Sequence, residues 1–177
     1  MAQRFIMTAF GKDRPGIVAD VTEILFENGC NLEDTSMTLL AGEFTLILLF
    51  IAEAAAAAEP ISRACRRLEQ EKGVSAFLRP LEPQAPAAPN GYFTRSLHVE
   101  GMDQAGIVYK ISRFLADRRI NIVDLRSSVK ASPESGTALY VMDIVVQIPD
   151  ATPMASLEKG LSAVADALNV DIALSEG

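Results

Sequence analysis

Two short stretches hold the residues with chemistry to offer. Residues 11–18 read GKDRPGIV and residues 101–108 read GMDQAGIV. Gly11, Asp13, Gly16, Ile17 and Val18 thus return 90 positions later as Gly101, Asp103, Gly106, Ile107 and Val108. Each stretch joins an apolar, strand-like run to one with helical spacing. A helix start leaves backbone N–H groups unpaired and carries the positive end of the helix dipole, so it can hold a carboxylate where nothing bulky intervenes. Gly16 and Gly106 remove the side chain where a ligand would approach, and Pro15 is expected to pre-set φ for the first helical turn. Asp13 and Asp103 supply an acceptor suited either to capping the helix or to gripping an ammonium group. Asn31 and Asn121 follow, each 15 residues after its glycine, with amides that both donate and accept. A charged amine, a carboxylate and little else describes a small amino acid.

The same residues also suit a plain structural role. Asp-x-Pro-Gly before a helix is a common turn and cap, and Asn after a helix is often a C-terminal cap. The repeat favours binding, because it preserves polar residues as well as core residues. The second copy departs from the first: Gln104 and Ala105 stand for Arg14 and Pro15, and Arg119 stands for Gly29.

No catalytic constellation accompanies these loops. His98 is the lone histidine and lies between Leu97 and Val99 in an alternating run, the pattern of an exposed strand residue. Cys30 and Cys65 sit on apolar faces without metal-ligand spacing, as small buried hydrophobes do. GKDRPG lacks the glycine and Ser/Thr spacing of a phosphate-binding loop. Asp13 and Asp103 lie in separate modules with no nucleophile beside them. The expectation is a non-enzyme with no metal and no cofactor.

The elements that position the loops follow from periodicity. QRFIMTAF reads as a strand, and Ile17, Val21, Ile24 and Leu25 form one stripe of a helix stopped at Gly29. CNLEDTSMTLL and EFTLILLFIA are strands joined by a tight turn at Ala41-Gly42. Ile61, Ala64, Cys65 and Leu68 mark a second helix, approached through the alanine run at 54–58, and VSAFLRPL is a fourth strand. The second half repeats the order. A strand at 95–100 precedes a helix with Ile107, Ile111, Phe114 and Leu115. INIVDLRSSVK and TALYVMDIVVQI pair, PMASLEKGLSAVADAL is helical, and VDIAL is the last strand.

Pro60-Ile61 aligns with Pro153-Met154 at a shift of 93, and the shift reaches 96 by the final strands, which places small insertions in the KASPESG hairpin and late in the last helix. The organisation is a first domain at 1–81, a Pro-rich connector at 82–91 and a second domain at 92–177. The fold class is α+β: two ferredoxin-like βαββαβ domains, each an antiparallel four-stranded sheet with both helices on one face. FTLILLFI is apolar at consecutive positions, which predicts burial on both faces and hence association, within the chain or between chains.

The 177 residues carry a formal net charge of −7, and 49% are apolar. The acidic balance argues against direct contact with nucleic acid, which requires clustered Lys and Arg. No run approaches the roughly 18–20 apolar residues of a membrane span. The N-terminus lacks the apolar core and cleavage site of a signal peptide, so a cytoplasmic protein is expected.

The stretches DRPGIV, GCNLED and GEFT resemble the ACT domain, a small amino-acid-sensing regulatory module with the same βαββαβ order. The match is closest to the glycine cleavage system transcriptional repressor family, whose members consist of two such domains. The resemblance is strong over residues 5–50 and looser over 92–175. It implies amino-acid binding at a domain or subunit interface, through the loop before the first helix and the start of the second strand. On this chain those are Gly11, Lys12, Asp13, Arg14, Pro15 and Gly16 with Asn31 and Leu32, and in the second module Gly101, Asp103, Gly106, Asn121 and Ile122. It further implies a small ligand such as glycine or serine, a DNA-binding activator as protein partner, and a homodimer or larger assembly. The alternative is a stand-alone ACT pair that regulates an enzyme of amino-acid or one-carbon metabolism.

Overall fold

The computed structural model describes residues 2–53, 58–82, 91–131 and 136–176. The alanine run at 54–57, the connector residues 83–90 and the tip of the KASPESG hairpin at 132–135 lie outside the described residues. The chain divides into two compact units, Met1–Ala87 and Ala88–Gly177.

The first unit runs β1 (Gln3–Lys12), α1 (Ile17–Glu27), β2 (Asn31–Leu40), β3 (Glu43–Ala52), α2 (Ala58–Lys72) and β4 (Ser75–Pro80). The second runs β5 (Tyr92–Met102), α3 (Ile107–Asp117), β6 (Asn121–Ala131), β7 (Ala138–Pro149), α4 (Met154–Leu168) and β8 (Val170–Glu176). Each sheet is antiparallel, with order β2-β3-β1-β4 in the first and β6-β7-β5-β8 in the second. This is the expected ferredoxin-like βαββαβ order, twice.

Alternation decides which sheet face is covered. In β1, Phe5, Met7 and Ala9 are buried, and in β3, Phe44, Leu46, Leu48 and Phe50 lie beside them under α1 and α2. Each of these Phe, Met and Leu side chains contributes about 1.5–3 kcal/mol by leaving water. The helical stripes close the core as their spacing predicts: Ile17, Val21, Ile24 and Leu25 are buried on α1, and Ile107, Ile111, Phe114 and Leu115 on α3. The Ala41-Gly42 turn has both residues at positive φ, 52° and 83°. That is the twist a two-residue hairpin needs.

One expectation is corrected: the shift between repeats changes once rather than gradually. Gly11 pairs with Phe44 and Gly101 with Tyr140, and Met7 pairs with Leu78 while Leu97 pairs with Leu174. The shift is therefore 90 through β6 and 96 from β7 onward, so all the extra residues enter between β6 and β7. The last helix carries no insertion: α2 and α4 each span 15 residues. Pro60 is the third residue of α2, whereas Pro153 precedes α4 as its N-cap, so the two prolines are not equivalent.

Within its own unit, β3 has helices on one face only. Ile47 stays exposed on the helix-free face, with Phe10 and the 63%-exposed Phe77 on neighbouring strands. The Phe10 and Phe77 rings stack at 6.0 Å. At the place equivalent to Ile47 the second sheet is polar, with His98 opposite Asp143 and Asp143 opposite Arg126.

An irregularity recurs in both sheets. The β2–β3 register slips between Leu32 and Asp34, and the β6–β7 register slips between Ile122 and Asp124. Each is a bulge of one residue, Glu33 and Val123.

Candidate ligand loops at two helix N-termini

Arg14, Pro15, Gly16 and Ile17 form a tight turn in which the Ile17 N–H reaches the Arg14 carbonyl at 3.4 Å. Gly16 has φ 86° and ψ −3°. Proline second and a positive-φ glycine third are the residues a type II turn demands. Pro15 therefore shapes the turn and does not enter the first helical turn, which begins at Ile17. The Gly16 carbonyl accepts the first helical bond, from the Asp20 N–H at 3.0 Å. A Cβ on Gly16 would meet nothing within 4 Å. Glycine is required there by the backbone angle, and the space above the helix end is open.

The second loop repeats this construction. Gly106 has φ 95° and ψ −1°, and its carbonyl accepts from the Lys110 N–H at 2.9 Å. Asp13 N–H donates to the Gly42 carbonyl at 2.9 Å, and Asp103 N–H to the Ala138 carbonyl at 3.2 Å. Both loops are thus pinned by their backbone to the neighbouring hairpin. Neither α1 nor α3 has a side-chain cap. Asp13 and Asp103 therefore do not cap their helices, and among the described residues no cation pairs with either carboxylate.

Arg14 is already engaged. Its Nη2 donates to Asp20 Oδ2 at 2.5 Å, and Lys72 Nζ donates to Asp20 Oδ1 at 2.5 Å. Hydrogen bonds from Lys72 and then Arg14 hold the Asp20 carboxyl below the usual range. The triad ties the loop to the end of α2. In the second unit Gln104 does the same work by donating to the Leu168 carbonyl at the end of α4. The substitution of Gln104 for Arg14 therefore preserves a tether and changes its chemistry.

Gly11 and Gly101 serve packing. A Cβ on Gly11 would stand 3.0 Å from the Gly73 carbonyl oxygen, and one on Gly101 would stand 2.7 Å from Val170 Cγ1. Lys12 is exposed at the end of β1.

Asn31 and Leu32 are not brought to the loop. Asn31 lies in register with Ile51, and Ile51 with Arg4, whereas Gly11 lies in register with Phe44 at the far end of β3. Seven residues of strand, about 23 Å, separate the two rows. Asn121 and Ile122 are displaced from Gly101 in the same way, and Asn121 Nδ2 donates to Gln147 Oε1 at 3.4 Å. A cradle in which Gly16 and Asn31 of one unit face each other is not formed.

Sequence reasoning missed the Asp20 triad and the partners of His98. Lys72 lies 52 residues from Asp20, so no local pattern announces the pair. His98 is exposed as expected, and Nδ1 lies 2.7 Å from Asp143 Oδ1 and Nε2 3.6 Å from Glu100 Oε2. Asp143 is the main cause of its raised pKa. Cys65 is buried and Cys30 half-buried, and burial pushes both thiols up. Among the described residues no cluster of three or more His, Cys, Asp or Glu suits a metal, and no helix is long and apolar enough to cross a membrane.

The ACT domain model matches residues 3–78. That match covers the first unit, and the second builds the same βαββαβ order. The chain has a tandem ACT fold. It is similar to the glycine cleavage system transcriptional repressor of Escherichia coli K12, at 29% identity over 93% of this chain and 85% of that one. It is also 32% identical over 77 residues to the UPF0237 protein MK1213 of Methanopyrus kandleri, over 43% of this chain and 86% of the relative. A solved structure of an unknown protein from Galdieria sulphuraria matches the whole tandem with a TM-score of 0.81 at 30% identity, covering 100% of this chain and 99% of the other.

Proposed function

We propose that this tandem ACT protein is a non-enzymatic regulator that senses a small amino acid such as glycine or serine and tunes transcription of glycine cleavage genes by contacting a DNA-binding activator. The observation that carries the reading is the twin construction at Gly16 and Gly106: an uncapped helix start under open space, beside an aspartate with no cationic partner among the described residues. The amides at the start of α1 hold the ligand carboxylate, and Asp13 holds its ammonium group. Lys12, Arg14, Pro15 and Gly11 shape that end of the unit, and Asp103 with Gly101 and Gly106 forms the counterpart.

Asn31 and Leu32, and Asn121 and Ile122, stand at the other end of their own sheets. In this proposal a second copy of the chain brings such an asparagine to the loop, so ligand binding favours one assembly over another by its differential affinity. Similarity over most of the chain to a glycine cleavage system transcriptional repressor supports the regulatory role. The net charge of −7 fits action on a protein in the cytoplasm rather than on DNA.

Calorimetry against the twenty amino acids tests the sensing. Heat with glycine or serine that disappears in Asp13→Ala supports it, and no heat with any of them at millimolar concentration overturns it. Pull-down from the native host tests the partner. A transcription factor supports the reading, and a metabolic enzyme replaces it with regulation of that enzyme.

A further inference from the structure

The paired helices of each unit enclose a groove built from equivalent positions, and the two grooves differ in charge. In the first unit Asp20, Glu23, Ile24 and Glu27 of α1 face Ala64, Arg67, Leu68 and Glu71 of α2. In the second, the matching positions of α3 are Lys110, Arg113, Phe114 and Asp117, and those of α4 are Gly160, Ala163, Val164 and Ala167. Two acids of α1 have become bases of α3, and the Arg67 and Glu71 of α2 have become alanines of α4. The second groove, about 460 Å³, has an apolar floor under a basic rim.

Packing explains the floor: the Phe114 ring and the Arg118 guanidinium fill the space over Gly160. Phe114 is larger than its counterpart Ile24, and Gly160 is smaller than Ala64. A Cβ on Gly160 would stand 2.7 Å from Phe114 Cε2 and Cζ. Arg118 covers the same ring, its Cζ 3.7 Å from the centroid. Tyr109 stands at the groove edge, 72% exposed.

The first unit carries a feature of matching shape and opposite charge. Phe26 on α1 is 84% exposed, the most exposed of the large apolar side chains among the described residues. Glu23, Phe26 and Glu27 fall at i, i+3 and i+4, which puts them on one face of the helix. No ion pair engages Glu23 or Glu27 among the described residues. Lys110 is likewise unpaired, and Arg113 pairs with Asp117 on its own helix.

We propose that the α3–α4 groove docks α1 of a second copy of this chain. Phe26 enters between Tyr109 and the floor at Ala163 and Ala167, while Glu23 and Glu27 meet Lys110 and Arg113. An aromatic anchor in an apolar seat ringed by complementary charge is the usual composition of an interface hot spot. In a two-fold pair each α1 meets the other chain's groove, so the pair holds two copies of the same contact. This surface is the outer face of α1, apart from the ligand-holding helix end, and the inference stands whether or not an amino acid binds there.

Sedimentation of the full chain across concentration and salt tests it. Self-association that weakens with salt is expected, and Phe26→Ala or Arg113→Glu should weaken it about tenfold or more. These side chains are on the surface, and circular dichroism checks that each variant is folded. The decisive variant combines Arg113→Glu and Lys110→Glu with Glu23→Lys and Glu27→Lys, restoring opposite charges across the contact. Recovery of association in that chain supports the proposal. A chain that stays monomeric at all concentrations, or an assembly indifferent to these substitutions, overturns it.

Discussion

Gly101 sits across from Val170 so closely that a methyl group on its Cα would stand 2.7 Å from Val170 Cγ1 and 3.0 Å from Val170 Cα. Val170 starts β8 and is buried. The glycine lets the last strand close onto the centre of the sheet. Gly101→Ala should therefore lower unfolding free energy by about 1–3 kcal/mol, the usual cost of overpacking, as read by denaturant titration. Gly11→Ala meets a backbone oxygen at 3.0 Å and should also destabilise.

At Gly16 the cost has another source. Its surroundings are open, but φ is 86°, where an L-residue pays about 1 kcal/mol. Gly16→Ala should lose roughly that much stability by denaturant titration. It should also weaken amino-acid binding in calorimetry, because relaxing the angle turns the helix amides. A variant that keeps full affinity would separate the turn from the ligand site.

Asp20 makes stability depend on acid. Lys72 and Arg14 lower its folded pKa, so its contribution is fully present above the unfolded value of about 3.9. It is lost as pH falls through the folded pKa. The stability gap between the native chain and Asp20→Asn should thus be wide at neutral pH and close at strongly acid pH. A gap that is constant across the titration would show that the triad is electrostatically idle.

His98 gives the opposite sign. Asp143 raises its folded pKa, so the contribution is present below the unfolded value of about 6.5 and is lost as pH rises through the folded one. Both partners are exposed, so the effect on stability is small. Proton NMR of the single imidazole should show a midpoint above 6.5 that falls on Asp143→Asn.

Elements whose residues alternate or recur at helical spacing were legible in the sequence. The stripe Ile17, Val21, Ile24, Leu25 and its copy on α3 each mark a buried face. The loops were legible as repeats, but the conformation of each residue within them was not. Pro15 and Gly16 together specify a type II turn, and a proline alone does not say whether it stands in that turn or in the helix after it. The distance between Gly16 and Asn31 was hidden because it depends on strand direction and register. The hairpin insertion blurred the later alignment, since two prolines near a helix start match by type without matching in space. Long-range tethers such as Lys72 to Asp20 leave no periodic trace.

The single supernumerary residue in β2 and β6 has an effect on what side chains those strands present. Leu32 still falls opposite buried Phe50, and Ile122 opposite buried Val146, while Asp34 and Asp124 fall opposite the next residue along. Glu33 and Val123 thus act as phase correctors, absorbing one step of alternation that would otherwise send Leu32 and Ile122 to the wrong side. It follows that each strand can lose that one residue with every other partnership kept, whereas a loss elsewhere in the ladder inverts part of it.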